Sequence, residues 1–253
     1  MKTNPFASLP GALDNSSYGR FDGDTLLLPE GAPNARQTEE MHGALRALLH
    51  DPDYPCVGAK SVINQNSYRF GLYPAIGDTA STAGLAYDLF HFIEERPSLP
   101  GEFTSFIASF VEPKVRKPKD FEDLLWKQLA ALHVADREFF EWNPEVSADP
   151  ANPHFSFSFA GNAFFVVGLS PASQRWARRF PWPTLVFNDH NQFEKLREEH
   201  RFDRIREVIR DRDTAVHGSE NAMLSDYGDV HSEARQYAGR RVSEKWRCPV
   251  HFE

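Results

Sequence analysis

Apolar residues first recur at helical spacing at Met41, Ala44, Leu45, Leu48 and Leu49, and Asp51-Pro52 stops that helix. From Cys56 to Ile63, and again from Tyr68 to Tyr73, residues alternate. Asn64-Gln65-Asn66-Ser67 between them is turn material, so the pattern predicts a hairpin with Cys56 at the start of its first strand. Asp78 is placed to cap a helix that buries Leu85, Leu89, Phe92 and Ile93 and ends before Pro97. A strand from Phe103 to Val111 follows. Asp120 is placed to cap a further helix with Phe121, Leu124, Leu125, Leu129 and Leu132 inward, His133 at its edge and Asp136 one turn on.

The stretch from Asn143 to Pro153 holds three prolines and reads as a loop. Phe155, Phe157 and Phe159 alternate with serines, and Gly161-Asn162 leads into Phe164 to Leu169, which predicts a second hairpin. Thr184 to Phe187 is a further strand. Phe193 and Leu196, then Phe202, Ile205, Val208 and Ile209, fit helical spacing only if the phase slips near His200, so a break is expected there. Beyond Asp213 the pattern fades, and the tail through Tyr237 and Trp246 to Cys248-Pro249 is expected to wrap over the body.

Residues 1–35 carry Pro5, Pro10, Pro29 and Pro33 among Gly, Asn and Ser, and read as an extended arm ahead of one domain over 36–253. Strands joined by short turns, with helices set apart, point to an α+β domain: a mainly antiparallel sheet of about six strands packed with four to six helices. No glycine-rich nucleotide fingerprint follows any strand, and no internal repeat is present.

Composition narrows the function. The chain has 253 residues, 41% apolar and 13% aromatic, enough for one large core. Its 21 Phe against 3 Met suggest an interior of stacked rings able to line a pocket for a flat ligand. A formal charge of −8 argues against a nucleic-acid partner. The arginines between Arg175 and Arg212 alternate with acids, as on a solvated helix face. No window approaches a membrane span, and the first residues lack a signal-peptide pattern, so a bacterial-type cytoplasmic location is expected, where two cysteines are ordinarily thiols.

Few residues offer chemistry. Cys56, after Tyr54-Pro55, is either a buried small hydrophobe or a thiolate ligand presented to a pocket; Cys248, near the chain end, is either an inert tail thiol or the same. Arg175, Arg178 and Arg179 fall at i, i+3 and i+4. On a helical turn they would form one cationic face for carboxylates or a phosphate, the alternative being surface ion pairs. Asn188-Asp189-His190 closes a strand and opens a helix, where capping competes with chemistry as the explanation. His133 with Asp136 is either an oriented imidazole or a structural helix-edge pair. The ten histidines show no zinc spacing.

Several segments together resemble the YqcI/YcgG family, and within it the haem-dependent N-hydroxylases of the guanitoxin type. They are Tyr54-Pro55-Cys56, Tyr68-Arg69-Phe70-Gly71, Phe157 to Asn162, Phe165 to Pro171, the Arg175 to Arg179 turn, Asn188-Asp189-His190 with Gln192-Phe193-Glu194, Ser232 to Tyr237, and Trp246-Arg247-Cys248-Pro249. The resemblance implies a haem protein that hydroxylates a nitrogen of an arginine-like guanidino compound or amine. It implies Cys56 as the iron ligand, with Cys248 second, and Arg175, Arg178 and Arg179 as partners for the propionates. Asp189 would meet the substrate guanidinium, and His190 would donate a proton to bound oxygen. An external electron donor, a reductase, would be needed, and a homo-oligomer is compatible with the sequence. Two other readings stand beside this one: a haem-binding sensor or carrier without turnover, and a cofactor-free interaction protein.

Overall fold

A computed structural model describes residues 3–30, 32 and 34–252; Pro33 of the expected arm lies outside the described residues. Five strands form the main sheet in the order β3-β4-β7-β6-β5: β3 (Tyr68–Ala75), β4 (Ser105–Glu112), β5 (Phe157–Phe159), β6 (Asn162–Leu169) and β7 (Thr184–Asp189). Two shorter strands, β1 (Arg20–Asp22) and β2 (Thr25–Leu27), make a separate antiparallel ribbon. The α+β expectation is met, but the main sheet is mixed, because β3 runs parallel to β4. The reason is α3 (Thr79–Glu95), which carries the chain back across the sheet so that β4 starts from the same end as β3.

Strand alternation divides the sheet into two faces. Phe106, Phe164, Val166, Leu185 and Phe187 point to one side and, with α3 and α4 (Pro118–Asp136), build the larger core. Asp78 caps α3 by accepting from the N–H groups of Ala80 and Ser81, as expected. Asp120 lies within the first turn of α4, which begins at Pro118 behind Lys117, since proline's fixed φ suits the first helical position. The opposite face carries Ile107, Val167, Leu169 and Val186, covered by α1 (Ala35–His50), α2 (Val57–Asn64), α5 (His190–Glu198) and α6 (Phe202–His217).

The expected first hairpin is not formed. Residues 57–64 are helix α2, and Cys56 is its N-cap, with Sγ accepting the N–H of Ala59 at 3.4 Å. Val57, Val62 and Ile63 imitate a strand in so short a segment, and packing against α1 decides for the helix. The second hairpin does form, with Ala160 and Gly161 both at positive φ, as a two-residue turn matched to strand twist requires. The phase slip at His200 is a real break: that residue is left-handed (φ 55°) between α5 and α6.

The arm is packed rather than extended. Phe6 is fully buried and stacks on Phe159 at 4.9 Å, and Asp88 of α3 accepts from Ser16 Oγ (2.6 Å) and Ser17 N (2.7 Å). The tail wraps over α4: Trp246 Nε1 donates to Glu122 at 2.9 Å, and Phe252 joins the core beside Trp126 and Phe155. A last short helix, α7 (Ala234–Tyr237), lies against β6.

Candidate functional site

A cavity of about 330 Å³ lies over the second face of the sheet. Two cross-strand rows form its floor, Ser105–Asn188–Phe165 and Ile107–Val186–Val167, each set by the registers of β4, β7 and β6. Asn188 is fixed within this floor: its amide oxygen accepts from Ser105 Oγ at 2.7 Å and its Nδ2 donates to the Phe165 carbonyl at 3.1 Å. Helices α1, α2, α5 and α6 form the walls, and the chain from Asn221 to Gln236 closes one end. Most of this lining is hydrocarbon or aromatic, the composition expected of a small-molecule or cofactor site, and its volume lies toward the small end of such sites.

Polar side chains are set into this surface, five arginines and three acids among them. Cys56 is partly buried, and its thiol reaches the cavity from the N-terminus of α2. Burial pushes the thiol's pKa up, while the N–H groups of Ala59 and Gly58 and the nearby Arg178 guanidinium pull it down. The free group is thus a neutral thiol at neutral pH, in a setting that favours its anion once a cation arrives. Arg178 is itself held by the carbonyls of Gly168 (3.2 Å) and Tyr237 (3.3 Å), and desolvation lowers its pKa.

The cationic turn does not act as one face. Trp176–Arg178 is a single 3-10 turn, with Arg175 and Arg179 as its flanking caps. Arg175 lines the cavity and pairs with Asp213 of α6 at 2.6 Å. Arg179 is exposed, lies outside the lining, and donates to the carbonyls of Ser173 and Gln174. The i, i+3, i+4 argument required a helix longer than this turn.

His190 enters the cavity as the first residue of α5, with its ring packed edge-on to Tyr227 at 4.4 Å. Burial lowers its pKa to about 4, so it is neutral at physiological pH. Glu194 Oε1 lies 3.3 Å from Nε2 and is itself bound by Arg197. Asp189 points elsewhere. It caps α5 through the Asn191 N–H and pairs with Arg96 at 3.0 Å, outside the cavity lining. Alternation along β7 explains this, since Asn188 faces the cavity and Asp189 must face away.

Cys248 packs with Trp246 and Val250 against the core on the α4 side, and burial pushes its thiol up to about 12. His133 and Asp136 belong to α4 as well. Asp136 accepts the Ala160 N–H at 2.8 Å and fastens the hairpin turn, and burial raises its pKa to about 7. None of these three lines the cavity.

The sequence reading missed the acids and arginines that α6 and the following chain bring in: Asp213, Asp226, Glu233, Arg206 and Arg210. Arg206 pairs with Asp226, and Arg210 lies 3.8 Å from the same carboxylate. Glu233 is 4% exposed, and its Oε1 accepts from Tyr237 Oη at 2.6 Å. A buried acid within Ser232-Glu233-Ala234-Arg235 carries no local pattern distinguishing it from a surface acid.

No described helix is long and apolar enough to cross a membrane. Among the described residues, no group of three or more His, Cys, Asp or Glu is placed to hold a metal ion.

The profile of the YqcI/YcgG family matches residues 45–251, a span that takes in every cavity residue named above. The uncharacterized protein YqcI of Bacillus subtilis (strain 168) is 30% identical over 109 residues, 41% of this chain and 42% of that protein. The uncharacterized protein YcgG of the same organism is 26% identical over 153 residues, 58% of this chain and 56% of that protein. These alignments thus span about half the length of the curated relatives. No solved structure matches.

Proposed function

The chain belongs to the YqcI/YcgG family, and from that premise we propose that its cavity seats a haem through the Cys56 sulfur and serves N-hydroxylation of a guanidino compound or amine. One observation carries the reading: of the two cysteines, Cys56 alone opens onto the cavity, at a helix N-terminus and beside Arg178. A porphyrin brings four nitrogen ligands of its own and would ask the protein for a further donor, which the Cys56 thiol in the cavity lining could give.

The rest of the lining fits such a group. Hydrocarbon walls suit a flat macrocycle. Arg175, Arg206 and Arg210 each have a buried Nε–H without a protein partner, as donors for carboxylates would. They replace the Arg175, Arg178 and Arg179 set, since Arg179 is turned away. Among the walls, α6 buries only Asp213, so it is the one most able to yield to a ligand larger than the resting cavity.

Haem, when bound, would supply oxygen activation and transfer of an oxygen atom to nitrogen, with electrons from an external reductase. The chain's own residues hold, orient and exclude. Cys56 would hold the iron as its thiolate, a form that the Ala59 and Gly58 N–H groups favour. His190 presents a neutral imidazole in the cavity wall. Phe165, Ile107 and Val167 give the floor an apolar surface.

The test is an absorption spectrum of protein made in haem-supplied cells. A Soret band is expected, lost or displaced in Cys56→Ser and intact in Cys248→Ser. Serine retains an N-cap acceptor, so α2 and the melting temperature should survive the first change. A colourless protein that takes up no hemin overturns the proposal, as does a Cys56→Ser spectrum identical to that of the parent. With reductant and oxygen, a guanidino compound should gain one oxygen by mass; a Soret band without such product favours the sensor or carrier reading.

A further inference from the structure

Three acids line the cavity, and two already have their cations: Asp213 pairs with Arg175, and Asp226 lies between Arg206 and Arg210. Glu194 beside them is bound by Arg197. Glu233 is different. Among the described residues no cation forms an ion pair with it, although it is buried and faces the same space.

We propose that Glu233 receives the positively charged end of the cavity's ligand, a guanidinium or primary ammonium group, as the ion-pair partner it otherwise lacks among the described residues. The proposal rests on the cavity being the substrate site, not on haem being bound.

The hydrogen-bond network around Glu233 accommodates both states. Tyr237 Oη accepts from the Phe157 N–H at 3.1 Å and lies 3.2 Å from the Phe164 carbonyl and 2.6 Å from Glu233 Oε1. With Glu233 protonated, its O–H can donate to Tyr237, whose own hydrogen goes to the Phe164 carbonyl. With Glu233 ionised, the tyrosine hydrogen turns to the carboxylate, the Ser156 hydroxyl also favours the anion, and a cation from the cavity would balance the charge that remains. One proton therefore separates two satisfied arrangements.

The surrounding charges do not supply that cation. The charge of Arg197 on α5 acts on Glu233, but that guanidinium is committed to Glu194 and lies over the Phe202 ring at 4.2 Å. Tyr227 from the preceding loop, Glu194 from α5 and Tyr237 from α7 are the other titratable groups facing it. Burial, more than any of them, pushes Glu233 up to about 8. At neutral pH the cavity presents a carboxylic acid, and docking of a cation turns it into a buried ion pair while one proton leaves to the buffer. A guanidinium suits the role because its N–H groups give charge-assisted bonds to a carboxylate.

Titration calorimetry of the full chain, with agmatine and L-arginine as probes and L-citrulline as the uncharged isostere, reads this directly. Runs at pH 7 in two buffers of different ionisation enthalpy should show close to one proton released per cation bound and none for citrulline. Affinity for the cations should rise by about fiftyfold between pH 6 and pH 8 and level off above that. Glu233→Gln keeps an oxygen for Tyr237; it should abolish proton release, flatten the pH profile and weaken cation binding by on the order of tenfold or more at pH 8. If that variant fails to fold, the wild-type proton count and the citrulline comparison still decide.

Cation binding without proton release, with a flat pH profile, or no binding of either cation overturns the proposal. The titrations are run on protein with and without hemin. Proton-linked binding in a protein that takes up no haem would retain the cation site and remove the haem reading. A Soret band in a protein that binds neither cation would do the reverse.

Discussion

Replacing Glu233 by glutamine should reshape the pH dependence of stability, and the size of the effect follows from where the carboxyl lies. It is buried against the cavity, hydrogen-bonded to Tyr237, and held at about 8 against an ordinary 4.5. Below 4.5 the folded and unfolded chains both carry the proton, and the group makes no difference. Between 4.5 and 8 the unfolded chain releases it while the folded chain keeps it, so each rise in pH favours unfolding; above 8 the penalty is complete. At about 1.4 kcal/mol per pH unit the full penalty is on the order of 5 kcal/mol, of which roughly 4 develops between pH 5 and pH 9. Glutamine has no proton to lose. Urea unfolding of both proteins at pH 5, 7 and 9 should therefore show the variant gaining roughly 4 kcal/mol on the parent across that range. Asp88 and Asp136, also raised by burial, titrate in both proteins and cancel in the difference. A stability difference constant to within about 1 kcal/mol would mean that Glu233 titrates as if in water, and the reasoning from burial would fail.

Asp88→Asn should lower stability by about 2 kcal/mol, because three donors, Ser16 Oγ, Ser17 N and Tyr73 Oη, converge on the carboxylate and an amide can no longer accept from all of them. Urea unfolding measures the loss, and limited proteolysis should show the arm before β1 cut sooner than in the parent. Asp189→Asn should leave agmatine affinity within about twofold of the parent, since the side chain faces Arg96 and asparagine still caps α5. A larger fall in that titration would return Asp189 to the site.

The local rules of the chain determined a good deal by themselves. Asp78 before a periodic apolar run specifies α3, because a side-chain acceptor and a buried stripe need only neighbours in sequence. The second hairpin and the break at His200 follow equally from turn chemistry and from an interrupted period. The quotable segments also sufficed to name the family, and Cys56 could be singled out because thiols are scarce in this chain.

What the sequence could not supply was direction across space. Cys56 was read as a strand residue because eight residues with β-branched members fit both periods, and only packing against α1 made the segment a helix and the cysteine its cap. Asp189 is the acid that the resemblance and its position at the strand end point to, and Glu233 carries no such local signal. One residue along a strand reverses a side chain, so Asn188 and His190 reach the cavity while Asp189 does not. Glu233 meets them there from more than forty residues away, and it became a buried acid only when α7 and β6 closed around it. Capping, turns and periodicity act over a few residues and are written locally; the burial of a charge depends on which distant segments pack around it, and that belongs to the tertiary structure.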